Sequence, residues 1–133
     1  MYLLDTNILV YAKNQRNLHV RNHIKQFDND LLFISIFTVA EMIFGCSKSQ
    51  NPIINKQALI EFLLPFNVLT FEQTDCDTYG EIRTFLEKKG EPIGTIDTFI
   101  GSMAVSRNLI LVTNNVREFG KIPEIKIENW SET

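Results

Sequence analysis

Short apolar segments alternate with longer amphipathic segments along this 133-residue chain. The short segments have the length of β-strands, and in the longer ones apolar residues recur at the spacing of one face of an α-helix. We predict strands at residues 2–5, 31–34, 66–71, 109–112 and 125–127, and helices at residues 7–13, 19–27, 37–45, 75–89 and 95–107, with a further helix after Pro52. This alternation predicts a parallel sheet covered by helices on both faces, a three-layer α/β/α sandwich.

Size and composition narrow the class of protein. The chain fits one domain, residues 1–133, and its content of 44% apolar and 22% charged residues is that of a globular protein. Its apolar stretches are too interrupted for a membrane span, so we expect a cytoplasmic protein in which Cys46 and Cys76 are free thiols. A net charge of −3 argues against nucleic-acid binding through bulk positive charge. It does not argue against a nuclease whose bound metal reverses the field at an acidic site.

Polar residues follow the first and the fourth predicted strands. Asp5 comes directly after the apolar opening of the chain, and Asn115 follows the strand at residues 109–112. The carboxyl ends of parallel strands meet in one crevice where the strand order reverses, so the two residues would face each other if their strands are neighbours. Asp5 could equally be the N-cap of the helix that follows it. Position alone leaves both interpretations open.

Two further acids stand beside apolar segments. Glu41 interrupts an apolar run, and we expect it at the edge of a pocket, because a buried and unpartnered carboxylate would be costly. Asp97 lies at a predicted helix start, where it or Thr95 could serve only as a cap. Both acids could face the crevice from their helices.

Carboxylates gathered in one cleft repel each other unless they are protonated or bridged by a cation. Sites with only oxygen ligands suit Mg²⁺ or Mn²⁺ better than zinc. Such a cation lowers the pKa of a bound water and orients it for attack on a phosphorus atom. The acids therefore indicate hydrolysis of a phosphodiester.

Four segments of the chain, taken in order, resemble the PIN-domain ribonucleases of the VapC toxin type. They are residues 3–7, Glu41, residues 92–101 and residues 111–119. The resemblance covers essentially the whole chain, down to residues 127–130, and implies a PIN-like fold and an endoribonuclease activity.

The resemblance also implies roles for single residues. In that family the acids that match Asp5 and Asp97 bind Mg²⁺ or Mn²⁺, and the acid that matches Glu41 completes the catalytic set. A fourth position, often another Asp, is Asn115 here, so one firmly held metal is the expectation. The residues that could support the site are Asn7, Thr113, Asn115 and Glu118.

The resemblance implies partners as well. It suggests a homodimer and a VapB-type antitoxin whose C-terminal segment covers the acidic cleft, with operator DNA bound only through the antitoxin. Similar toxins cleave structured RNA, and the pattern at residues 90–94 resembles those that cut tRNA anticodon loops.

Two other functions remain open from the sequence. The missing fourth acid would also fit a catalytically silent PIN-like module that only binds its antitoxin or RNA. A phosphotransferase or phosphatase of the haloacid-dehalogenase kind also places an Asp after its first strand. That chemistry requires a second Asp two residues later, where this chain has Asn7.

Overall fold

A five-stranded parallel sheet runs through the middle of the computed structural model, which describes residues 1–132. Its strands are β1 (Tyr2–Leu4), β2 (Leu32–Ser35), β3 (Asn67–Leu69), β4 (Ile110–Val112) and β5 (Lys126–Glu128). The helices are α1 (Thr6–Lys13), α2 (Leu18–Gln26), α3 (Ile36–Ser47), α4 (Pro52–Leu63), α5 (Gln73–Lys88), α6 (Thr95–Ser106) and α7 (Val116–Phe119), and a 3-10 turn covers Asn29–Leu31.

Alternate residues of the central strands enter two separate cores. Leu4 and Val112 pack with α1, α2, α3 and α4 on one face of the sheet. Leu3 and Leu111, their neighbours in sequence, pack with α5 and α6 on the other face. Since successive side chains of a strand point to opposite faces, this division makes three layers. The predicted α/β/α sandwich is confirmed.

The strand order β3-β2-β1-β4-β5 places the reversal of direction between β1 and β4. From β1 the chain moves outward to β2 and β3, and then returns to build β4 and β5 on the other side. Leu4 lies opposite Val112 in the register of the two central strands. The predicted crevice at their carboxyl ends is therefore present, with Asp5 and Thr113 at its floor.

Several element ends differ from prediction. β3 stops at Leu69 because its partner strand β2 ends at Ser35, where α3 begins. α3 continues past Gly45 to Ser47, since one glycine costs a helix only about 1 kcal/mol and Met42 and Cys46 hold the last turns in the core. α7 was not predicted, because four residues are too few to show helical periodicity.

The last residues of the described chain are packed against its beginning. Trp130 is fully buried and contacts the rings of Tyr2, His23 and Phe27. Its indole Nε1 donates to Glu128 Oε1 at 3.0 Å, so the polar atom of this large side chain is satisfied. The C-terminal segment is therefore part of the core beneath β1.

A buried ion pair joins the two helices on the other face. Arg107, at the end of α6, donates to Asp75 Oδ2 at 2.6 Å and to the carbonyl of Thr70. Asp75 has no exposed surface. Burial would raise the pKa of this carboxyl, but the hydrogen bonds from Arg107 and the backbone of Glu72 hold the pKa below its usual range.

The two cysteines are free thiols, as predicted, with Cys46 in the core and Cys76 on the surface. Among the helices of residues 1–132, none combines the length and the apolar character needed to cross a membrane.

Candidate active site

Asp5 lies at the floor of the crevice between β1 and β4, and 5% of its surface is exposed. Its Oδ1 accepts a hydrogen bond from the backbone N–H of Thr6 at 2.9 Å, and its Oδ2 accepts one from the Thr113 hydroxyl at 2.8 Å. It is also the N-cap of α1. Each carboxylate oxygen keeps a further lone pair, so the cap and the ligand interpretations of Asp5 are compatible.

Thr113 is itself held in place by the loop after β4. The backbone N–H of Asn115 donates to Thr113 Oγ1 at 2.9 Å. The hydroxyl proton is thereby left for Asp5. The loop that follows the fourth strand therefore fixes the orientation of the carboxylate that follows the first.

Glu41 reaches the same crevice from α3. Its Oε1 accepts a hydrogen bond from the Thr6 hydroxyl at 2.8 Å. Glu41 and Thr6 also line a groove of about 360 Å³ between α1, α3 and α4. The predicted place at a pocket edge is confirmed, and Glu41 is exposed there, as are Ala40 and Phe44 on the same helix.

Asp97 lies in the first turn of α6, where Gly94 is the N-cap. It does not cap the helix with its side chain, so the cap interpretation of this residue is wrong. Partial burial and the charges of Asp5, Glu41 and Glu118 raise the pKa of Asp97 to about 6. These carboxylates are therefore close enough to repel one another.

Burial has the same effect on Asp5. It raises the pKa of the Asp5 carboxyl, and the charge of Glu41 adds to the effect, although hydrogen bonds from Thr113 and Thr6 act in the opposite direction. No guanidinium or ammonium group within residues 1–132 forms an ion pair with Asp5, Glu41 or Asp97. The crevice thus holds negative charge that the described part of the protein does not balance.

α7 brings Glu118 to the rim of the crevice. Phe119 and Ile122 pack against Gly101 of α6, where a methyl group would overlap Ile122. Because α6 also carries Asp97, this close approach holds Glu118 beside it. The Lys121 ammonium lies 3.3 Å from Glu118 Oε1 and partly neutralises it.

The other supporting candidates lie at the same edge. Asn115 is the N-cap residue before α7, and its side chain makes no capping hydrogen bond to that helix. Asn7 Nδ2 donates to Asn114 Oδ1 at 3.4 Å, and Asn114 Nδ2 donates to the Tyr11 hydroxyl at 3.0 Å. All seven predicted site residues therefore come from segments that meet at the carboxyl ends of β1 and β4.

The acids do not by themselves enclose a cation. Among residues 1–132, no three His, Cys, Asp or Glu side chains stand close enough together to form a complete metal site. An open arrangement of one or two carboxylates, with remaining positions filled by water and substrate oxygens, is the type of site that Mg²⁺ prefers. The donor set fits Mg²⁺ held in that way.

A family model for the PIN domain matches residues 2–125. The ribonuclease VapC2 of Rickettsia felis is 40% identical over 131 residues, covering 98% of this chain and 98% of that protein. This chain is a PIN-domain protein of the VapC family.

Other members of the VapC family extend the likeness. The tRNA(fMet)-specific endonuclease VapC of Salmonella typhimurium is 36% identical over 129 residues, with 97% of each chain covered. A crystal structure of VapBC2 from Rickettsia felis, bound to a DNA fragment from its promoter, superposes with a TM-score of 0.90 at 39% identity, covering 97% of this chain and 98% of that one. The family resemblance seen in the sequence is confirmed.

Three hydroxyl groups at the site were not predicted from the sequence. Thr6, Ser35 and Thr38 join the N-terminus of α3 to Glu41. A signal was present, since Ser35, Thr38 and Glu41 are spaced by three residues and so share one face of a helix. These side chains lie close to Thr6 because β1 pairs with β2. The spacing of residues along the sequence does not reveal that pairing.

Proposed function

We propose that the protein is an Mg²⁺-dependent endoribonuclease and the toxin of a toxin-antitoxin pair. It would hydrolyse phosphodiester bonds in structured RNA and be neutralised by a VapB-type antitoxin. The observation that carries this proposal is the group of unbalanced carboxylates at the β1–β4 crevice, where the pKa of Asp97 is raised to about 6. Membership of the VapC family supports the reaction class.

Asp5 and Asp97 are the residues that would hold the cation. A cation between them would offset the repulsion that raises the pKa of both carboxyls. Bound Mg²⁺ supplies a water of lowered pKa and positive charge for the phosphoryl oxygens. Mn²⁺ accepts the same oxygen ligands and would replace it.

The side chains of the protein prepare the site for this chemistry. Thr113 and the N–H of Thr6 fix the plane of the Asp5 carboxylate, which removes a reorientation that would otherwise accompany binding. Glu41, exposed at the rim, accepts from Thr6 and keeps lone pairs for a water or a ribose hydroxyl. An exposed acid with these free positions suits the exchange of protons with solvent.

The antitoxin is proposed from the relatives and from the groove beside Glu41. A crystallised relative is a VapBC assembly bound to promoter DNA. In this chain the groove between α1, α3 and α4 leads to Thr6 and Glu41 and is lined in part by Met42 and Leu59. An antitoxin segment with apolar residues and a terminal cation would fill the groove and neutralise the crevice together. DNA contact would come through that partner, because this chain has a net charge of −3.

The first RNA to test is an initiator tRNA with its anticodon loop. A relative of 36% identity is named as a tRNA(fMet)-specific endonuclease. Unpaired loop bases can be splayed out and read, whereas a paired stem hides them in a deep groove. We also propose that the protein acts in the cytoplasm and as a homodimer.

Cleavage of RNA by the purified chain tests the proposal. The antitoxin-free protein is incubated with total cellular RNA and with initiator tRNA, in Mg²⁺ or in EDTA, and the ends of the fragments are mapped by sequencing. Asp5→Asn removes a metal-binding charge with little change of volume. Asp77→Asn is the matched control, because Asp77 is an exposed acid on α5.

We expect discrete cuts in Mg²⁺ that persist with Asp77→Asn and vanish with Asp5→Asn or EDTA. Equal cleavage by the Asp5→Asn protein would contradict the assignment of the site. The silent binding module is the second candidate, and Asn115 at the fourth position favours it. An intact, folded protein that binds RNA without cutting it under any of these conditions would establish that alternative.

A further inference from the structure

Three hydroxyl groups form a continuous path to Glu41. Ser35 Oγ lies 3.3 Å from Thr38 Oγ1, Thr38 Oγ1 lies 3.0 Å from Thr6 Oγ1, and Thr6 Oγ1 lies 2.8 Å from Glu41 Oε1. Ser35 and Thr38 have no exposed surface, whereas Glu41 is exposed. The path therefore runs from the core to the rim of the crevice.

The number of protons sets the direction of the path. An ionised carboxylate only accepts hydrogen bonds, so the one hydroxyl proton of Thr6 goes to Glu41. Thr6 can then only accept from Thr38, and the Thr38 proton is used in that bond. Thr38 in turn accepts from Ser35, whose oxygen accepts the backbone N–H of Thr38 at 3.0 Å. Every hydroxyl donates once, and all three protons point towards Glu41.

A chain of hydroxyls aligned in this way differs from three separate hydrogen bonds. Each donor polarises the next, so the bond at the end of the chain is strengthened. That last bond is also charge-assisted, because its acceptor is a carboxylate. An exposed glutamate would otherwise sample several side-chain positions, and this bond restricts it to one.

We infer that Thr6 is a positioning residue for Glu41, supported from beneath by Thr38 and Ser35. This inference rests on the proposed ribonuclease function. Thr6 also follows Asp5 directly and donates its backbone N–H to that carboxylate. One residue thus fixes two of the acids, Asp5 through its backbone and Glu41 through its side chain.

Asp5 and Glu41 belong to different elements of the fold. Asp5 follows β1, whereas Glu41 lies on α3, which follows β2, the strand that pairs with β1. Thr6 carries the only side chain among residues 1–132 that donates a hydrogen bond to Glu41. Loss of its hydroxyl would free the glutamate while leaving Asp5 in place.

The test compares two substitutions of one residue. Thr6→Val keeps the branched shape and removes the donor, whereas Thr6→Ser keeps the donor and removes a methyl group. We expect Thr6→Val to lower kcat/KM for RNA cleavage roughly tenfold to a hundredfold, the value of a hydrogen bond to a charged group. Thr6→Ser should recover activity to within about threefold of the unmodified protein. Thr38→Val removes the hydroxyl that supports Thr6 and accepts from Ser35, and it should lower kcat/KM roughly a few-fold.

Thr78→Val is the matched control, because the Thr78 hydroxyl bonds only to the backbone of its own helix, at Thr74. A double variant separates positioning from any independent role. In the background of Glu41→Ala, which removes the acceptor of the Thr6 hydroxyl, we expect Thr6→Val to cost no more than about a further twofold. A loss as large as in the unmodified background would overturn the inference.

A spectroscopic measurement follows Glu41 without metal or RNA. In metal-free protein, the carboxyl ¹³C chemical shift of Glu41 should move in Thr6→Val and remain in place in Thr6→Ser and Thr78→Val. An unchanged shift in Thr6→Val would contradict the inference even if activity fell. If the unmodified protein cleaves no RNA, the proposed function fails, but the chemical shift still decides whether Thr6 holds Glu41. Circular dichroism confirms that each variant is folded.

Discussion

Two regions of the molecule bury aspartates, and they differ in what surrounds the charge. On the α5–α6 face, Asp75 is fully buried beside the guanidinium of Arg107, and its pKa lies below the usual range. At the β1–β4 crevice, Asp5 and Asp97 are buried or half-buried beside other acids, and the pKa of each is raised. The same side chain therefore stabilises the fold in one place and opposes it in the other.

The presence or absence of a counter-charge distinguishes the structural aspartate from the aspartates of the candidate site. Asp75 and Arg107 satisfy each other, so the pair needs nothing from outside the chain. Within residues 1–132, Asp5, Glu41 and Asp97 have no ion pair, and the repulsion among them favours any ligand that brings positive charge. Carboxyls in a cleft whose pKa is raised by burial and by like charges are for this reason candidates for a site, whereas the ion pair with Arg107 accounts for the lowered pKa of Asp75.

Removing the carboxylate at Asp75 should have the largest effect. Asp75→Asn leaves the Arg107 guanidinium partly buried without its counter-charge, so we expect the free energy of unfolding to fall by about 3 kcal/mol. Urea denaturation measures this change. The control is Glu87→Gln, which breaks the exposed pair with Arg83. It should leave the denaturation midpoint nearly unchanged, because exposed ion pairs contribute little. Equal effects of the two variants would show that the buried pair contributes no more to stability than the exposed pair.

Neutralising Asp97 should act in the opposite direction. In EDTA at pH 7.5, we expect Asp97→Asn to raise the free energy of unfolding by about 1 kcal/mol, a value reduced for the partial exposure of the side chain. The variant should also lose RNA cleavage, so its stability would rise while its activity falls. A destabilised variant would mean that the Asp97 carboxylate supports the fold.

The pH dependence gives a sharper form of this test. The pKa of Asp97 is about 6 in the folded protein against 3.8 in the unfolded chain. Between these values the folded state binds a proton that the unfolded state does not, so stability falls as pH rises through this window. The advantage of Asp97→Asn over the unmodified protein should therefore be small at pH 4 and full at pH 7.5. Thermal denaturation across this range, without metal, measures it, and a constant advantage would exclude Asp97 as its source.

Restoring an acid at the fourth position should have the smallest effect. Asn115→Asp adds a negative charge at the edge of the crevice, and we expect it to lower metal-free stability by about 0.5 kcal/mol. Mg²⁺ should then recover more stability in this variant than in the unmodified protein, as melting temperatures with and without the ion would reveal. An identical Mg²⁺ response in both proteins would place Asn115 outside the cation's reach.

The sequence predicted the layers and the meeting of the acids for a clear reason. Strand and helix periods are local, and right-handed crossovers leave few ways to arrange them. Asp5, Glu41 and Asp97 became candidates because an acid after a strand, within an apolar run or at a helix start is conspicuous in the sequence. Their assembly in one crevice followed from the position of β1 next to β4.

Features that depend on three-dimensional neighbours were not predictable. The exposure of Glu41 depends on which face of α3 meets the core, and the apolar residues beside it in the sequence do not show that face. The bond between Asp75 and Arg107 joins residues 32 positions apart through the packing of α5 on α6. The hydroxyl path through Thr6 and Thr38 likewise spans 32 positions.

The bond from Thr113 to Asp5 joins residues 108 positions apart. Asp5 is translated before the hydroxyl and the loop that orient it. A growing chain that already contains Asp5, Glu41 and Asp97 therefore lacks the geometry that would make them a site until the segment after β4 has been made. For a protein that would damage RNA, this order delays any activity until β4 and its loop can join β1.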